Sequence, residues 1–130
     1  MLKRDLIMIQ IEELGKMIAQ MVTNREGNDG ADKNLELVTT VYRTLGVDQE
    51  ALMTTSLEDL LDRLNREDGA GLYRMELLAK TLMEASYLDP DNRVPALRRA
   101  GEMLRYVQAN DSTFSLEREA LLGEIDRLLY

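Results

Sequence analysis

Apolar residues along this chain recur at intervals of three and four in almost every stretch, the spacing that lays side chains along one side of an α-helix. From Met1 to Thr23, Ile7, Ile11, Leu14, Ile18 and Met21 keep that interval while Lys3, Gln10, Glu13, Lys16 and Gln20 fall opposite, which predicts a long amphipathic helix. Leu6 and Ile9 widen its apolar face beyond a single stripe. Gly15 lies on that face, where a missing side chain lets another helix approach closely at about 1 kcal/mol of lost helix propensity.

Asn24 to Asp32 gathers Gly27, Asn28, Asp29 and Gly30, turn formers that predict a mobile loop. A second seam of Leu35, Val38, Tyr42 and Leu45 follows, closed by Gly46 as a C-terminal cap. Asp48 can cap a short turn through Met53. Ser56 with Asp59 resembles a capping box opening a helix of Leu57, Leu60, Leu61 and Leu64. On its outer side Asp59 with Arg63, and Asp62 with Arg66, are spaced for ion pairs. Gly69 and Gly71 precede a helix from Leu72 to Leu88 that carries Met75, Leu78, Ala79, Leu82 and Ala85 on one side. Pro90 must end it, since proline lacks the amide donor and pushes Asp89 out of helical geometry. Pro95 suits the start of the next helix, whose seam is Leu97, Ala100, Leu104 and Val107; after a break at Asn110 to Ser115, Leu121, Leu122, Ile125, Leu128 and Leu129 define the last. No run alternates with a period of two over a strand's length. The pattern predicts one all-α domain over residues 1–130, about six to seven helices in stacked antiparallel hairpins or a compact bundle.

Ala85-Ser86-Tyr87-Leu88-Asp89-Pro90-Asp91-Asn92 resembles the junction between tetratricopeptide repeats, where an Ala-bearing helix ends in Leu-Asp-Pro. The likeness implies that Ala85 packs on a neighbouring helix and that Pro90 opens the next unit. Upstream, the repeat's aromatic, Leu-Gly and Tyr positions fall on Asp62, Asn65, Arg66 and Gly69, and no 34-residue self-similarity runs along the chain. More broadly, Arg4-Asp5-Leu6-Ile7, Ile11-Glu12-Glu13-Leu14-Gly15 and Leu57-Glu58-Asp59-Leu60-Leu61 look like a bacterial family of small all-helical proteins with tetratricopeptide-like hairpins. That resemblance implies a fold and offers no catalytic motif.

Composition narrows the chemistry. The 130 residues include no histidine and no cysteine, which removes the side chains of most nucleophilic dyads, transition-metal sites and neutral-pH proton shuttles. With 24 acids against 16 bases the formal charge is −8, a mean field that repels phosphate backbones and anionic lipid. The early apolar run is broken by Gln10 and followed by Glu12 and Glu13, so neither a signal peptide nor a spanning helix is expected, and a cytoplasmic location is the default. An EF-hand register through Asp29, Gly30 and Glu36 puts Arg25 and Gly27 at ligand positions. Asp89 and Asp91 suit capping better than chelation, because Arg93 takes the next liganding place. Gly69-Ala70-Gly71 lacks the strand a phosphate loop follows. No acid sits inside an apolar run where burial would perturb it. No metal, cofactor or catalytic residue is expected.

Three features remain. Arg93, Arg98, Arg99 and Arg105, opposed only by Glu102, make one helix locally basic. The commoner fate of such arginines is pairing with acids of neighbouring helices; the functional alternative is a groove lining that receives an acidic peptide. Leu6, Ile7 and Ile9 could dock a second copy of the chain as a homodimer. Of eight methionines, Met75, Met83 and Met103 could line an apolar cavity. The expectation is a non-catalytic protein or peptide interaction module; the contrasting one is a small-molecule-binding or regulatory subunit domain.

Overall fold

The computed structural model describes residues 3–27, 30–66 and 68–130. Among them are seven α-helices and no strand: α1 (Lys3–Glu26), α2 (Ala31–Leu45), α3 (Gln49–Thr54), α4 (Leu57–Asn65), α5 (Gly71–Ser86), α6 (Arg93–Asn110) and α7 (Leu116–Leu129), with a 3-10 turn at Pro90–Asn92 before α6. The fold is all-α. No described helix is long and apolar enough to cross a membrane.

Local chemistry sets the helix ends. Asp48 Oδ1 accepts from the Ala51 amide at 2.7 Å, Ser56 Oγ from Asp59 at 3.2 Å and Ser115 Oγ from Arg118 at 3.2 Å, each satisfying a donor that a helix start leaves unpaired. Gly46 ends α2 with φ +73°, a left-handed conformation that glycine adopts without penalty. The loop after α1 is shorter than the run of turn formers implies, because α1 continues to Glu26. Asn28 and Asp29, and with them that part of the EF-hand register, lie outside the described residues. Gly30 is needed for close approach, since a Cβ there would collide with the Asn24 backbone.

Each helix packs chiefly on its neighbours: α1 on α2, both on α5, α4 on α5, α5 on α6, and α6 on α7. The centre is α5, from which Met75, Leu78, Ala79 and Leu82 are wholly buried against Leu14 and Met21 of α1, Val41 of α2, Leu60 and Leu64 of α4, and Leu97, Ala100, Met103 and Leu104 of α6. Its one-sided seam is therefore an underestimate: Arg74, Leu77, Thr81, Met83, Glu84 and Ser86 are buried too, because neighbours cover α5 on nearly every side.

Two expected details change. Leu35 is exposed, and Asn34 takes the inward position, with Nδ2 donating to the Met21 carbonyl at 2.9 Å and Oδ1 accepting from Asn24 at 3.0 Å. Asn34 thus finds partners for both ends of its buried amide on α1 and ties the start of α2 to it. The expected pairs Asp59–Arg63 and Asp62–Arg66 are absent among the described residues; Arg66 instead donates to the Thr44 carbonyl at 3.1 Å, completing the end of α2.

Candidate functional site

Between α1 and α7, above α5, lies a groove of ≈ 360 Å³. Helical spacing aims each wall: Gly15, Ile18, Ala19 and Val22 form one stripe of α1, Lys80 and Glu84 one edge of α5 with Tyr87 just past its end, and Glu117, Leu121 and Glu124 one stripe of α7. The expected close packing of a helix on Gly15 is not found among the described residues. No atom lies within 4 Å of where its Cβ would stand, because Gly15 faces the groove.

Ion pairs cross the groove's floor. Arg25 Nε and one terminal nitrogen donate to Glu84 at 2.7 and 3.0 Å, a two-point bond that ties the end of α1 to α5, and the same guanidinium lies 4.4 Å from the centre of the Tyr87 ring. The hydrogen bond to Glu84 raises the proton affinity of Arg25. Burial pushes the Tyr87 phenol above its ordinary value; Arg25 opposes the shift, and Glu124 and Glu84 reinforce it. Lys80 Nζ meets Glu117 Oε1 at 2.9 Å, bridging α5 and α7. Glu26 and Glu124 line the same groove without an ion-pair partner among the described residues.

Glu84 was not visible in the chain's pattern. It is 5% exposed between Met83 and Ala85. Its partner is Arg25, 59 positions earlier, so no local spacing relates them. The only hint was a lone acid four residues after Lys80 in an otherwise apolar helix end.

None of the four α6 arginines lines this groove. Arg93 donates to the Ser86 carbonyl at 3.0 Å and that of Tyr87 at 3.4 Å, closing the end of α5. Arg99 donates to the Leu52 carbonyl at 2.6 Å, to the Thr55 carbonyl and to Glu102, so it clamps α6 onto the end of α3. Arg98 and Arg105 are exposed on the outer side, where Arg105 reaches Asp126 at 3.5 Å across a shallow depression. The basic helix is thus split between backbone clamps and surface charges. Leu6 and Ile9 are 55% and 44% exposed, together with Met8, and Ile7 is half-buried. Met75 and Met103 are wholly buried in the core, while Met83 alone of the three lines the groove.

Other candidate centres are occupied by local bonding. Asn65 Oδ1 accepts from the Gly71 amide at 3.0 Å and Asp68 Oδ1 from that of Ala70 at 2.9 Å, so these loop amides are already engaged by the protein's own acceptors. Asp89 Oδ2 accepts from the Asn92 side chain at 2.7 Å, which braces the turn rather than capping the helix backbone. Among the described residues no group of three or more carboxylates converges as metal ligands would. The chain matches no protein-family model, no curated protein and no solved structure.

Proposed function

We propose that this chain is a non-catalytic interaction module that holds a segment of another protein in the groove walled by α1 and α7. The observation behind the reading is the lining itself: an apolar, small-residue wall at Gly15, Ile18, Ala19 and Val22, faced by Leu121 and rimmed with charge. Such a lining suits a side chain that is apolar at its root and polar at its rim. The packing order supports it, since hairpins laid side by side leave α1, α5 and α7 sharing one long side. The tetratricopeptide-like arrangement, kinship with the small bacterial helical family and a cytoplasmic location belong to this same reading. Self-association through the start of α1 is its second part, favoured by Leu6, Met8 and Ile9 standing exposed on a helix nine residues longer than α2.

Photo-crosslinking in the native cell tests the groove. A photoreactive residue at Ala19, on the wall, is expected to trap one defined protein, and one at Arg98, on the outer side, is not. Adducts of equal yield from both positions, or none from Ala19, would overturn the reading.

A further inference from the structure

The groove's charge identifies its occupant. Four carboxylates line it, those of Glu26, Glu84, Glu117 and Glu124, against the two cations Arg25 and Lys80. Both cations are engaged, Arg25 by Glu84 and Lys80 by Glu117. Among the described residues Glu26 and Glu124 remain without an ion-pair partner, in a molecule whose overall charge is −8. An acidic peptide would meet repulsion here, whereas a cationic one is drawn in by both the local and the mean field.

The walls specify its shape. Contact between α7 and α5 relies on long ion-paired side chains, Lys80 with Glu117 and Arg118 with Glu76, while the backbone of α7 packs on α6. The two walls therefore stand apart. On the α1 side, Gly15 and Ala19 are one helical turn apart, and open space lies above Gly15. Small residues at that spacing admit the backbone of another helix at short range.

Resting on the groove reading above, we infer that the occupant is an amphipathic helix of a partner protein, with its apolar face against Gly15, Ala19 and Leu121 and lysine or arginine at Glu26 and Glu124. The contact is helix-in-groove recognition, with anchors three and four residues apart. Its polar side is cationic, the opposite of what a groove built from the α6 arginines would select.

Three synthetic peptides that share a Leu face and carry Lys, Gln or Glu on the polar face test the inference by fluorescence anisotropy on the full chain. The Lys peptide is expected to bind at least about tenfold more tightly than the Glu peptide, and the gap is expected to narrow as salt rises. A Cβ at Gly15 would meet nothing within 4 Å, so Gly15→Leu projects into the open space. It is expected to keep or raise the melting temperature, because leucine is the better helix former, and to abolish binding. Glu26→Gln with Glu124→Gln is expected to weaken the Lys peptide about tenfold and to leave the Gln peptide unchanged.

Equal affinity for all three peptides, lost in Gly15→Leu, would overturn the cationic class and leave the groove reading standing. Binding of the Lys peptide that survives Gly15→Leu would overturn the placement. Failure of every peptide to bind would overturn the inference, and the Ala19 crosslink would then judge the groove reading separately. A wild-type dimer that Gly15→Leu dissolves would make the occupant a second copy and overturn the partner-helix assignment.

Discussion

Arg74 is the largest side chain withdrawn from solvent among the described residues, at 1% exposure, and its charge is matched at short range. Its two terminal nitrogens lie 2.6 Å from the two oxygens of Asp68, and one of them also donates to the Leu64 carbonyl at 2.8 Å. The Arg74 hydrogen bonds hold the Asp68 carboxyl down from 3.8 to about 2. A carboxyl lowered by folding adds stability that is complete above its unfolded value and is lost as pH falls through its folded value. Wild-type stability is therefore expected to decline between about pH 4 and pH 2, and Asp68→Asn, which has no such titration, to decline less steeply there. At neutral pH that variant is expected to be about 3 kcal/mol less stable in urea melts, since it leaves a buried guanidinium without its counter-charge. Identical acid limbs for the two proteins would exclude this role. Neither Arg74 nor Asp68 stood out in the chain. The pair sits six residues apart across a helix start, and periodicity ranks a charged residue as outward-facing until a neighbouring element covers it.

On the scale of elements, one side chain fastens the last helix. Arg118, 4% exposed, donates to Glu76 of α5 at 2.6 Å, to Gln108 of α6 at 2.8 Å and to Asp111 just beyond α6 at 3.0 Å. Only Ile125 of α7 is a fully buried apolar residue, so this polar junction carries much of the attachment. Arg118→Met keeps the length of the stem and removes the donors. It is expected to cost about 2 kcal/mol, less than a fully buried pair because Glu76 and Asp111 retain some solvent. Hydrogen exchange is expected to quicken over residues 116–129 well before it does in α5; uniform loss of protection would show that Arg118 is not a local fastening. The helices themselves were legible from spacing alone. The seams of α6 and the caps at Asp48, Ser56 and Gly46 follow from the residues as written. Their mutual placement was not legible, and for that reason the four arginines of α6 were grouped. Helical spacing puts Arg98 and Arg105 on one side, whereas Arg99 turns toward α3 and Arg93 toward the end of α5, targets that exist only after the hairpins have stacked.

For the whole molecule, the exposed start of α1 is the surface with the clearest solution consequence. Leu6→Lys with Ile9→Lys changes two side chains already 55% and 44% exposed in the monomer, so unfolding temperature is expected to be unchanged at concentrations low enough that the wild type is monomeric. Light scattering is expected to show the wild type associating as concentration rises and the variant remaining monomeric. A wild-type mass equal to one chain at high concentration would remove self-association from the reading. The groove lies farther along α1, from Gly15 to Glu26, which allows both surfaces to be tested in one protein. Its composition was only partly legible: the apolar residues of α1 and α7 could be named, but that α5 runs beneath them, and that Glu84 turns inward there, depends on contacts between distant segments.

Because α1, α2, α4 and α6 all bear on α5 while α7 leans on α6, the architecture behaves like a roof whose ridge beam is α5. Injury at one margin stays there, and a loosened α7 leaves the hairpin of α1 and α2 seated. A fault in α5 itself has no such boundary, since four helices rest on it.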